Sequence, residues 1–216
     1  MTEKHSGSLR ILIADDHNIV RRGIQMIVED LVEQALVHQA SSIAQIREKL
    51  RQYSTDIAIL DAQLPDGNCI ELLPEIRELY PQTKILIFSS FDEETYSVKF
   101  IKAGAQGFLS KLSDEDKIRN AIHRLIETGN YYSPLTRTLL RISEQHPELL
   151  NPLDKLSERE FEIAKLFSTG SGNLEIANQL SVRQNTVSTY KKRIFEKLNI
   201  DSLVELIEMM KTHHNF

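Results

Sequence analysis

The chain has 216 residues, 41% of them apolar and 26% charged, with a formal net charge of -5. That supplies material for one or two packed domains, and no run of about eighteen apolar residues offers a membrane span. The single cysteine, Cys69, excludes an internal disulfide and fits a reducing, cytoplasmic setting, with the thiol read as a small packing group.

Taken in chain order, MTEKHSGSLR carries no apolar stretch and does not read as a signal peptide. Residues 9–128 then alternate. Short aliphatic runs, LRILIAD (9–15), EQALVHQA (33–40), DIAILD (56–61), KILIFSS (84–90) and GFLS (107–110), predict strands. Between and after them, residues 18–31, 42–53, 69–80, 95–104 and 115–129 carry apolar side chains at helical spacing. Pro74 interrupts the third of these in its first turn. Five strand–helix repeats predict a parallel sheet covered on both faces, with right-handed crossovers.

Residues 129–152 break the alternation and read as a linker with one helix over SPLTRTLLRISEQH, Pro134 lying near its first turn. From 153 to 216 the pattern is all helical. Ser157 with Glu160 three residues on is a capping-box signature. NLEIANQL, the turn SVRQ, a longer helix from Gln184 and a last one over SLVELIEMMKT follow. Ile163, Leu166, Ile176, Ala177, Leu180, Val182, Val187, Ile194, Phe195 and Leu198 can close a small bundle.

Charge separates the two halves. Residues 1–155 carry 18 Lys/Arg against 23 Asp/Glu, and residues 156–216 carry eight of each. Within the neutral rear half, YKKRIFEKL places four basic side chains against one acid. A nucleic-acid face depends on such a local field rather than on the domain sum.

Ligands of open parallel sheets sit outside the carboxyl ends of the strands. There the sequence puts Asp15 and Asp16 after the first strand, Asp61 after the third, Ser89 and Ser90 at the end of the fourth and Lys111 after the fifth. If the first and third strands are neighbours, three carboxylates meet and repel, and a hard cation such as Mg²⁺ answers that repulsion. Asp61 then serves as a nucleophile toward phosphorus, with Lys111 neutralising the equatorial oxygens. Taken singly, each residue has a plainer role: Asp15–Asp16 as a helix cap, Ser89 as a turn residue, Lys111 as a loop lysine. His17 reads as a surface residue opening the first helix.

ILIADDH, LDAQLPDG, FSS and GAQGFLSK, followed by LSERE, NLEIANQLSV and NTVSTYKKRIFEKL, together resemble the bacterial two-component response regulators with a receiver domain and a LuxR-type (FixJ-like) helix-turn-helix. The resemblance implies a flavodoxin-like sheet of order 2-1-3-4-5 in residues 1–128 and a DNA-binding domain in 153–216. It implies Asp61 as phosphoacceptor for a histidine kinase. Asp15, Asp16, Asp61 and the Gln63 backbone carbonyl become Mg²⁺ ligands, and Ser89, Lys111 and Phe108 become phosphate-contacting and switch residues. Phe108 stands where tyrosine is frequent and lacks its hydroxyl. Phosphorylation is expected to turn Ser89 toward the phosphate and draw Phe108 inward. In the rear domain Thr186, Ser188, Thr189, Lys191, Lys192 and Arg193 are the candidate DNA contacts, with serine at 188 where a basic residue is common. Leu203, Leu206, Ile207 and Met210 are expected to pack the core and to form a dimer contact. The implied partners are a sensor kinase, double-stranded DNA, a second copy of the chain and RNA polymerase, and the implied chemistry is self-phosphorylation rather than enzymatic turnover. Two other classes stay open on the residues: a phosphatase forming an aspartyl phosphate, disfavoured because Gln63 cannot act as a general acid, and a signalling scaffold with a protein-binding bundle.

Overall fold

A computed structural model describes residues 8–145 and 151–214. Five parallel strands, β1 (Leu9–Ala14), β2 (Ala35–Ala40), β3 (Ile57–Leu60), β6 (Lys84–Ser89) and β7 (Gly107–Ser110), form one sheet in the order β2-β1-β3-β6-β7. Counting only these strands, that is the expected order 2-1-3-4-5. A two-stranded hairpin, β4 (Gln63–Leu64) and β5 (Gly67–Asn68), interrupts the numbering just after β3.

Alternation along the strands divides the core. Ile11 and Ile13 of β1 face one cluster with Ile24, Ile27 and Val28 of α1 (Asn18–Leu31) and Ala121, Ile122 and Leu125 of α5 (Glu115–Thr128). Leu12 and Ala14 face the opposite cluster. There they meet Ile46 and Leu50 of α2 (Ile43–Gln52), Leu73 and Ile76 of α3 (Leu73–Leu79) and Phe100 of α4 (Glu93–Ala103). Each fully buried Ile or Leu contributes about 1.5–3 kcal/mol, so the two-sided pattern itself fixes which strands stay central.

The third helix is shorter than its periodicity predicts. Pro74 has no N–H to donate, and α3 starts at Leu73 with the proline in its first turn, after a 3₁₀ turn over Cys69–Glu71. Cys69 is completely buried, and burial pushes its thiol up to about 12, which suits packing and not redox chemistry.

The helix α6 (Pro134–Gln145) follows, and the chain divides into two compact units between Leu140 and Arg141, inside this helix. The second unit contains α7 (Glu158–Ser168), α8 (Asn173–Gln179), α9 (Gln184–Leu198) and α10 (Leu203–His214). Its core joins Ile163, Phe167, Ile176, Val187, Ile194, Leu198, Leu206 and Met210. Leu166, Leu180, Val182 and Phe195 line its margin, half-buried. Ser157 and Glu160 form the full capping box at the start of α7. Among the described residues no helix is long and apolar enough to cross a membrane.

Candidate phosphoryl site and nucleic-acid face

The strand ladder carries the acidic residues to one rim. The Asp61 N–H donates to Ala14 O at 2.7 Å, and the Lys111 N–H donates to Ser89 O at 2.8 Å. Pairing thus continues one residue beyond β3 and β7 and holds both side chains in register with β1 and β6. Arg21 of α1 adds a clamp, donating from its guanidinium to Asp15 O at 2.7 Å and to Gln39 Oε1 at 3.0 Å. Nothing in the residue pattern pointed to that clamp beyond a cation on the first turn after the acidic pair.

Lys111 Nζ sits 2.6 Å from Asp15 Oδ2 and 2.7 Å from Asp61 Oδ2. The contact to Asp61 is a hydrogen bond. The contact to Asp15 is an ion pair without hydrogen-bond alignment, so that buried oxygen lacks a well-directed donor. Asp15 and Asp61 are 2% and 7% exposed, deep enough for charge to matter. Burial pushes the Asp61 carboxyl up, against the opposing pull of Lys111, and the neighbouring Asp15 adds to the rise. For Lys111 burial acts downward, but its two carboxylate partners outweigh it and hold the ammonium above its usual range.

Asp16 is exposed, and His17 stands at the N-cap of α1. His17 Nδ1 lies 2.6 Å from Asp16 Oδ1 and 3.2 Å from Asp15 Oδ1. His17 therefore belongs to the acidic cluster and is more than a surface residue. The paired aspartates do not supply the side-chain cap of α1. Ligand atoms of Asp15, Asp16 and His17 lie within 4.8 Å of one another and can hold a metal ion. Asp61 is not in that group, because the Lys111 ammonium stands between its carboxylate and Asp15. The donor set fits a hard divalent cation: two carboxylates at a rim and one buried oxygen without an aligned hydrogen bond.

The loop after Asp61 is anchored at its tip. Asp66 accepts hydrogen bonds from Ile43 N at 2.7 Å and Ala44 N at 2.9 Å, the open first turn of α2. Burial acts upward on this carboxyl, but those backbone donors and Arg47 outweigh it and hold it below the usual range. Gly67 has φ 149°, and a Cβ there would lie 3.0 Å from Ile43 Cδ1. Within this loop Gln63 N approaches Asp61 Oδ1 at 3.5 Å, while the Gln63 side chain turns to Leu64 O and Gly67 O.

Ser89 and Phe108 are both buried. The Ser89 hydroxyl accepts from Phe91 N at 3.1 Å. The Phe108 ring is already inside, 5.9 Å centroid to centroid from Phe100. The inward movement expected from the sequence therefore has no outward starting point here, because the ring without a hydroxyl has nothing to hold it at the surface.

In the second unit α9 buries Val187, Ile194 and Leu198, as its periodicity predicts. Ser188, Thr189, Lys192 and Arg193 are exposed and Thr186 half-buried. Lys191 departs from the expected outer face. It is half-buried, with Nζ 5.7 Å from the Phe167 ring centroid and 5.4 Å from that of Phe195. Ser188 Oγ donates to Gln184 O and accepts from Asn173 Nδ2 of α8 at 3.0 Å. Gly172 supplies half a capping box, its N–H donating to Glu175 Oε2 at 2.8 Å. On α10, Leu206 and Met210 are buried, Leu203 and Ile207 half-buried, and Val204 is 64% exposed. Only part of the expected apolar stripe therefore faces outward.

Comparison with known proteins covers the same two units. Residues 11–123 match the family described as response regulator receiver domain, and residues 154–210 match bacterial regulatory proteins of the luxR family. The oxygen regulatory protein NreC of Staphylococcus epidermidis is 34% identical over 209 residues, covering 93% of this chain and 95% of the relative. The Fimbriae Z protein of Salmonella typhimurium is 36% identical over 204 residues, covering 94% and 96%. Among solved structures, the two-component response regulator RcsB in complex with DNA aligns over 95% of this chain and 99% of that one, with a TM-score of 0.66 at 22% identity. The response regulator ChrA of a heme-sensing two-component system aligns over 96% and 98%, with a TM-score of 0.52 at 26% identity.

Proposed function

Because the chain belongs to the two-component response regulators, phosphorylation-regulated DNA-binding proteins that join a receiver domain to a LuxR-type domain, we propose that Asp61 is its phosphoacceptor and α9 its DNA-reading helix. The membership excludes the phosphatase and scaffold readings that the residues alone left open. The observation that carries the proposal is the single ammonium of Lys111 held between the two buried carboxylates of Asp15 and Asp61.

In this reading a carboxylate oxygen of Asp61 attacks the phosphorus of a kinase phosphohistidine. The new O–P bond forms as the P–N bond breaks, and the imidazole nitrogen leaves with the electron pair. Lys111 stays within reach of the incoming equatorial oxygens and offsets their charge. Asp15 and Asp16, together with Asp61 and the Gln63 carbonyl, would hold Mg²⁺, which would supply charge neutralisation at the transferred group. With the ion in place, Lys111 would give up its position beside Asp15. Ser89 leaves Phe91 N and donates to the phosphate. Phe108 acts as the fixed floor of the switch.

Residues 1–128 form the phosphorylated unit, 129–152 the connection and 153–216 the DNA-binding unit. Thr186, Lys192 and Arg193 meet phosphates, and Ser188 and Thr189 approach base edges in the major groove. Lys191, turned onto two rings, adds to the local field and steadies α9 against α7. Val204 and Ile207 contribute to a homodimer on DNA. The setting is the cytoplasm, where a sensor kinase, DNA and RNA polymerase are all within reach.

The test is phosphorylation of the full chain by a small phosphodonor with Mg²⁺, read by intact mass. Asp61→Asn is expected to remove the phosphoryl adduct completely. Mg²⁺-dependent labelling that persists in D61N would overturn the assignment.

A further inference from the structure

Residues 129–152 read in sequence as a linker with one helix, yet their first part is built onto the sheet. The Tyr131 N–H donates to Gln106 O at 2.9 Å, and Tyr131 bridges Gly107 in parallel at the start of β7. A Cβ at Gly107 would lie 2.9 Å from the Tyr131 carbonyl oxygen, so this close approach needs glycine. Ser133 then opens α6, its Oγ accepting from Thr136 N at 3.0 Å.

The same region is clasped to α4 through one side chain. Ser133 Oγ donates to Glu93 Oε1, and Thr136 Oγ1 donates to that oxygen at 2.8 Å. Ser133 and Thr136 are 4% and 0% exposed, so water does not replace these bonds. Glu93 is the first residue of α4, four positions beyond Ser89. Two hydrogen bonds order the stretch between: Ser89 Oγ accepts from Phe91 N, and Asp92 caps α4 by accepting from Thr95 N at 2.9 Å.

α4 itself is not fully satisfied. The Ser97 hydroxyl is completely buried and has no hydrogen-bond partner among the described residues. A helix carrying such a group loses less by shifting than a fully satisfied one.

Resting on the phosphoacceptor reading above, we infer that Glu93 is a positioning residue that couples the phosphoryl site to α6. While Ser89 holds Phe91 N, Glu93 fixes the first turn of α6 through Ser133 and Thr136. When Ser89 is drawn to the phosphate, the segment 89–93 shifts and the two hydroxyls lose their shared acceptor. Hydrogen bonds weaken steeply with misalignment, so a small displacement at Glu93 suffices. α6 crosses the boundary between the two compact units, and the change therefore reaches the stretch of chain that joins them.

Amide hydrogen exchange over residues 133–140 tests this in the full chain, with and without Mg²⁺ and beryllofluoride as the acyl-phosphate mimic. In the wild type, loading is expected to speed exchange there about tenfold, the worth of one hydrogen bond to a charged group. Glu93→Ala should exchange fast in both states, whereas Glu93→Gln keeps an acceptor oxygen and should restore the slow unloaded state. Both variants should still form the adduct with a small phosphodonor. Unchanged protection in Glu93→Ala overturns the clasp. Normal adduct formation in the wild type with no response in α6 overturns the coupling alone, while absence of the adduct overturns the phosphoacceptor reading and the coupling with it.

Discussion

The acidic rim of the sheet and the outer face of α9 both concentrate charge, but in opposite ways. At the rim one ammonium and two carboxylates are buried together, and lost water and the neighbouring charges shift both Asp61 and Lys111 upward on balance. Along α9, Lys192 and Arg193 stand in solvent, and Lys192 forms a long 3.8 Å pair with Glu196. Buried charges are strongly coupled and answer to a single substitution with large effects. Exposed charges are screened and act one by one. On the reading proposed above, the chemical site turns on single groups, whereas the reading surface sums many screened charges.

Lys111→Met is the sharpest way to break that contrast. Phosphorylation of Asp61 should slow by about 10²–10³, as for loss of one preorganised charge at a reacting group. At the same time Mg²⁺ should bind more tightly, because the ammonium no longer stands between Asp15 and Asp61. Phosphodonor kinetics and calorimetric Mg²⁺ titration read the two effects separately. A parallel loss of both would mean that Lys111 supports the fold of the rim and does not compete with the cation.

Glu160 sharpens the comparison within the second unit, since it is a buried charge there. Burial acts to raise its carboxyl, but Lys197 at 2.6 Å and the Ser157 donors outweigh it and hold it at about 2. A folded value below the ordinary 4.5 means stability that is present above that value and lost as pH falls through about 2. Glu160→Gln should therefore cost about 1 kcal/mol at neutral pH and nothing at pH near 2, measured by chemical denaturation. A cost that does not change with pH would show that shape, and not charge, matters there.

The smallest effects separate Lys192 from Lys191. Lys192→Ala should weaken DNA binding and lower the salt slope by about one while leaving stability unchanged. Lys191→Ala should instead lower stability by about 0.5–1 kcal/mol through lost contact with Phe167 and Phe195, with a smaller change in salt slope. Equal slopes and equal stabilities for the two variants would erase the distinction between the buried-facing and solvent-facing lysine.

Much of this was legible in local pattern. Ile11, Ile13 and Leu12, Ala14 alternate to opposite faces because successive strand residues must. Ser157 and Glu160 lie three apart, the distance a helix start requires. Strand ends carrying Asp15, Asp61 and Lys111 were readable as well, because residue type and strand limit both lie in one short window. The same windows misplaced Lys191, since a helical wheel shows a face but not which aromatic ring waits beneath it.

The amino-acid sequence by itself determined the alternation of strands and helices, the two-sided sheet, the helical second unit and the set of acidic residues at strand ends. Tertiary structure alone decided that Lys111 stands between Asp15 and Asp61, that Phe108 is already inside, that His17 joins the acids and that Glu93 holds Ser133 and Thr136. The physical reason is separation along the chain. Periodicity and capping are set by neighbours a few residues apart, whereas these contacts, His17 excepted, join positions up to 96 residues apart in the case of Lys111 and Asp15. They exist only after the loops between have closed and their entropy has been overcome by the packed core.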